Sequence, residues 1–77
     1  MDVRNTNQRS EVLEVYRWSV AQTALGLLEQ LPDWDKASTW HNTLFREFAT
    51  GKQWVVYLAD QAWPGEVRVI TTSMAAT

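Results

Sequence analysis

The chain of 77 residues has a single histidine, His41, and no cysteine. Nucleophilic or metal chemistry would therefore have to be built around one imidazole. Ser38 lies three residues before His41, a spacing at which two side chains meet on a helix surface, and Asp33 and Asp35 lie a little upstream. A hydroxyl and an imidazole act as nucleophile and base only with a third group to orient the ring and donors for the oxyanion. The sequence marks no residue for either role. A metal needs several N, O or S ligands, and two carboxylates in Asp33-Trp34-Asp35 without a glycine-punctuated loop do not make a hard-cation site. Glycines at 26, 51 and 65 are too dispersed for a phosphate-cradling loop. No catalytic, cofactor-binding or metal-ligating residue is assigned. The chain is read as a non-enzyme, with His41 a hydrogen-bonded structural residue on an apolar helix face.

Aromatic residues are the outlier. Five tryptophans, at 18, 34, 40, 54 and 63, stand beside Tyr16, Tyr57, Phe45 and Phe48. In a small domain without disulfides, large rings supply core area that other staples would otherwise supply. Tryptophan is also enriched at binding hot spots. Trp63 is the position where the two roles separate, because it sits in a loop beside the stiffening Pro64. It either folds back to cap the core edge or stands out as a rigid anchor for another protein.

The elements that position these residues are read from periodicity. Ser10 is a candidate N-cap, with Glu11 and Glu14 in the first turn. Leu13, Tyr16, Val20, Ala24, Leu27 and Leu31 then recur at spacings of three and four, which predicts a helix over 11–31. Gly26 is read as a close helix crossing, and Trp18 and Leu25 form a second apolar stripe on that helix. It is covered by a hairpin partner helix, or by a partner or second copy. Pro32 ends the helix. A second helix is predicted over 35–50, with Trp40, His41, Leu44 and Phe45 on one face and Gly51 as its C-cap.

After Gly51 the pattern alternates. Residues 53–59 and 66–72 read as strands, joined by a loop whose Pro64-Gly65 pair suits a type II turn. Trp54, Val56 and Leu58 share one face of the first strand, and Val55, Tyr57 and Ala59 the other. The expected fold is α+β: two antiparallel helices followed by a β-hairpin (ααββ), with residues 1–9 a flexible leader, 10–72 one small domain and 73–77 a loose tail. Two strands are marginal alone, and one helix pair covers one face. A second copy or partner is therefore expected to complete the sheet.

Seven Lys/Arg against nine Asp/Glu give a net charge of −2. That argues against a nucleic-acid footprint or a membrane-binding basic patch. There is no apolar run of membrane-spanning length and no signal-like N-terminus, so a cytoplasmic location is expected.

The reading that results is a non-enzymatic protein-interaction module, an adaptor or inhibitor of the size of phage-type accessory regulators. It occupies a partner's surface through Trp63, Pro64, Trp18, Leu25, Val55 and Tyr57. The partner is another protein, with a homodimer expected and no cofactor. One alternative is a nucleic-acid-binding regulator with a winged-helix-like helix plus hairpin. The second is a small enzyme or metal protein using His41.

Overall fold

The structure, a computed structural model, describes residues 1–70. Thr71 and Thr72, expected to close the last strand, and the expected tail at 73–77 lie outside the described residues. One helix, α1 (Arg9–Ala24), precedes four strands: β1 (Leu28–Pro32), β2 (Asn42–Glu47), β3 (Gln53–Tyr57) and β4 (Glu66–Ile70). They form a single antiparallel meander in the order β1-β2-β3-β4, with α1 packed on one face. This overturns the expected pair of helices followed by a hairpin. The sheet is also complete without a second copy or partner.

The first correction lies at Gly26. The helix ends seven residues earlier than Leu31, at Ala24, because Gly26 takes φ +80. Its N–H donates to the carbonyl of Thr23, and that of Leu27 to the carbonyl of Gln22, each at 3.0 Å. This is a Schellman cap, so the glycine is a stop signal and not a helix crossing. Freed from the helix, Leu28–Pro32 pairs with β2, Leu28 opposite Glu47 and Leu31 opposite Leu44.

The second correction is the predicted helix at 35–50, which is a loop followed by β2. Leu44 and Phe45 are adjacent and both buried because the sheet is covered on both faces. A strand buried on both sides presents consecutive apolar residues, and a short run of that kind also satisfies a helical period. Gly51, at φ +77, closes the turn between β2 and β3 by donating to the Glu47 carbonyl at 2.8 Å. The helix expected to serve as a recognition helix is thereby absent.

The hairpin of β3 and β4 is present, and its faces are those the alternation predicts. Trp54 lies opposite Val69 and Val56 opposite Val67, all toward α1, while Val55 and Tyr57 lie opposite Arg68 and Glu66 on the other face. Gly65 takes φ +86, but no turn forms at Pro64-Gly65: the bend of this loop falls at Gln61 and Ala62, where the Asp60 N–H donates to the Trp63 carbonyl at 2.9 Å.

The helix is rotated from the expected orientation. Its buried residues are Val12, Val15 and Ser19, whereas Leu13 and Val20 are 42% and 37% exposed, and Ala24, Leu27 and Leu31 also face solvent. The reason is Trp54. Its ring is 1% exposed, and its indole N–H donates to the Ser19 hydroxyl at 3.0 Å. A buried donor needs a partner, and a small hydroxyl residue supplies both the acceptor and the room for the ring.

The expected leader lies against the sheet. Val3 is buried, and Thr6 and Val67 exchange backbone hydrogen bonds at 3.1 and 2.8 Å. The Asn5 side chain accepts from the Val69 N–H at 2.7 Å. The outer edge of β4 is thus partly occupied, and β1 ends its own edge with Pro32, which cannot donate to a further strand.

Candidate functional site

Two surfaces at opposite ends of the sheet gather the residues singled out in the sequence. The first is a crevice on the face away from α1, formed where the β1–β2 loop and the β3–β4 loop fold over Tyr57. Trp40 comes from one loop and Trp63 from the other, and their rings pack with centroids 4.8 Å apart and planes tilted by 33°. Trp63 meets Tyr57 edge-on at 6.2 Å. Together with Ile70 they cover Leu44 and Val55. The apolar surface expected to need a partner on this face is therefore sealed by the chain's own rings.

Both loops are fastened by polar contacts. The buried Asn42 accepts from the Asp35 N–H at 2.8 Å and donates to the carbonyls of Asp35 and Trp40 at 3.2 and 2.9 Å. Tyr57 donates its hydroxyl to the Asp35 carboxylate at 2.8 Å, and the other oxygen of that carboxylate accepts from the Ala37 N–H. Asp33 tolerates a φ of +53 at the tip of β1, as aspartate in a turn can. The two aspartates shape this loop and cap no helix. In the second loop, the Asp60 carboxylate accepts from the N–H groups of Ala62 and Trp63, each at 2.8 Å. Arg9, reaching from the start of α1, donates to the Asp60 carbonyl at 2.6 Å.

The electrostatics of the crevice are mixed. The Arg68 guanidinium lies 5.4 Å from the centre of the Tyr57 ring and pairs with Glu66 at 3.2 Å. Burial pushes the Tyr57 phenol above its ordinary 10.0, and the hydrogen bond to Asp35 pushes the same way. The open space is about 290 Å³.

The second surface is apolar. At the far end of the sheet a concavity of about 540 Å³ lies between the end of α1 and the β2–β3 turn, walled by Trp18, Leu27, Leu28 and Phe48. Leu27 and Phe48 are neighbours through a backbone hydrogen bond of 3.3 Å. In its wall Phe48 and Leu27 are 59% and 53% exposed, and Leu25, two residues before Leu27 in the chain, is 70% exposed. Trp18 is half-buried, resting its ring on Trp54 at 6.1 Å.

The six positions expected to face a partner thus fall into two groups. Trp63 and Tyr57 meet in the crevice, with Pro64 half-buried beside Trp63 in the chain; Val55, with no exposed surface, lies beneath Tyr57 and offers nothing for direct contact. Trp18 lines the apolar concavity, and Leu25 stands exposed outside its lining, two residues before Leu27. Sequence reasoning missed Trp40, Asp35 and Arg68 in the crevice and Leu27 and Phe48 in the concavity, since Arg68 lies far along the chain from Asp35 and Trp40, and Asp35, Trp40, Leu27 and Phe48 were all assigned to helices.

His41 is exposed, in the loop before β2, and only its backbone carbonyl is used, accepting from the Leu58 N–H at 2.9 Å. It is not a hydrogen-bonded ring on an apolar face, because that helix does not exist. Among the described residues no three His, Asp or Glu side chains gather where they could hold a metal ion, and no helix is long and apolar enough to cross a membrane. Comparison with protein-family models, curated proteins and solved structures finds no match.

Proposed function

We propose that the chain is a non-enzymatic interaction module, an adaptor or inhibitor that occupies part of another protein's surface through the concavity between α1 and the β2–β3 turn. The observation that carries this reading is the exposure of Leu27 and Phe48, neighbours in the wall of a cleft that also holds Trp18, with the exposed Leu25 two residues before Leu27. Single exposed apolar residues are ordinary on protein surfaces. Contiguous ones around a concavity are a feature of interaction sites. A bulky aromatic in the wall, already held by Trp54, supplies a contact area that loses little entropy on binding.

The test is photocrosslinking in the host, with a photoreactive phenylalanine at position 25 or 48, and at the exposed Gln61 as control. The expected result is one discrete protein adduct from positions 25 and 48 and none from 61, abolished by Leu27→Asp. Sedimentation of the purified chain identifies a second copy as that partner if the particle is twice 8.9 kDa. Absence of any adduct at both positions, with a monomeric particle in solution, removes the proposal.

A further inference from the structure

We infer that the crevice at the other end of the sheet, between the two loops that carry Trp40 and Trp63, is a binding site for one neutral polyhydroxylated ring, a saccharide unit. The crevice shares no residue with the interaction surface proposed above.

The wall combines aromatic rings with hydrogen-bonding groups. Trp40 and Trp63 lie against each other and both border the opening, while Ser38, Glu66 and Arg68 line its rim. An anion is disfavoured, since Asp35 and Glu66 bring two carboxylates against one guanidinium. A cation finds the face of Tyr57 already taken, because Arg68 lies over that ring and is itself paired with Glu66. A wholly apolar ligand would cover the rim's charged and hydroxyl groups without replacing their water hydrogen bonds. A flat heterocycle gains most when slid between two rings, and at a centroid separation of 4.8 Å the indoles leave no gap for one.

A molecule with a C–H face and a perimeter of hydroxyls meets every requirement. Its C–H face lies on an indole, its hydroxyls donate to the Glu66 carboxylate, and they accept from the Arg68 guanidinium. The volume of about 290 Å³ suits one ring and not a long chain. The loops are fixed in advance by Asn42, by the Tyr57–Asp35 bond and by Asp60, so binding need not order them.

The test tracks the five tryptophan indole N–H signals by two-dimensional NMR. The probes are the methyl glycosides of glucose, galactose and mannose, and N-acetylglucosamine, with adenosine and tetramethylammonium chloride as the other arms. At least one sugar should move the Trp40 and Trp63 signals saturably, with a dissociation constant in the millimolar range, and leave Trp18 and Trp54 in place. Glu66→Gln, a rim change that leaves the rings packed, should weaken binding about tenfold, and Trp63→Leu should abolish it. Trp34→Ala, in the same loop as Trp40 but outside the crevice lining, should change nothing. The inference is overturned if no sugar moves these signals, if adenosine or tetramethylammonium moves them at lower concentration than any sugar, or if Glu66→Gln binds as tightly as the wild type.

Discussion

Ser19 faces the core with no exposed surface, and its hydroxyl is the acceptor that lets the Trp54 indole be buried. Ser19→Ala keeps the space but orphans that N–H, so a loss of about 1–3 kcal/mol is expected in urea unfolding. The same change at the exposed Ser10 should stay within about 0.5 kcal/mol. Gly65 is constrained twice. Its φ is +86, and an added Cβ would lie 2.6 Å from the Tyr57 carbonyl and 3.0 Å from the Ala59 nitrogen. Gly51 has a similar φ of +77 with nothing within 4 Å. Gly51→Ala should therefore cost about 1–2 kcal/mol of backbone strain, and Gly65→Ala clearly more, through displacement of the loop that carries Trp63. Comparing the two denaturation midpoints separates conformational strain from steric exclusion. That a loop joins the two strands was legible in the residue types, whereas the type II turn expected at Pro64-Gly65 does not form. The need for space at Gly65 was not legible, because the atoms that crowd it come from Tyr57 at the end of β3, from Ala59 just beyond it and from Val12 on the helix, which only the fold brings together.

At the scale of elements, the β1–β2 loop is held to the sheet by Asn42 and by the Tyr57–Asp35 bond. Burial and that bond raise the Tyr57 pKa above 10.0. The fold therefore keeps a proton that the unfolded chain releases. This contribution to stability is whole below about pH 10 and is lost as pH climbs through the raised value. Tyr57→Phe should cost about 1 kcal/mol near neutrality, where the hydrogen bond is lost, and should flatten the alkaline decline. Unfolding midpoints of both proteins from about pH 7 to pH 11 give the comparison. The elements themselves were unevenly legible. The β3–β4 hairpin stood out because its strands alternate and are rich in β-branched residues. The stretch read as a second helix misled for a physical reason: Leu44 and Phe45 occupy opposite faces of one strand, and both faces are covered.

For the molecule as a whole, both sheet faces are closed from within, one by α1 and the other by Trp40, Trp63 and Ile70. The stability of the isolated chain should thus be insensitive to the apolar rim left outside. Leu27→Asp and Phe48→Asp are expected to shift unfolding free energy by no more than about 0.5 kcal/mol each, while erasing the crosslink from position 25. A large loss of stability from either change would show the rim to be part of the core.

From the amino acids alone came the α+β class, the alternating hairpin with its two faces, the absence of a basic footprint and the surplus of aromatic area. Those properties are local or additive, written in residue type, spacing and charge. Which aromatic area remained in surplus was decided by the tertiary structure. Gly26 is a close crossing if Leu27–Leu31 continues the helix and a C-cap if that segment pairs as a strand, and the six residues of β2 satisfy a helical or an extended period equally. The choice fell to partners far along the chain. The buried Trp54 N–H found Ser19, β1 found β2, and Trp40 found Trp63. Pairing energy of that kind belongs to no single segment, so no segment could announce it.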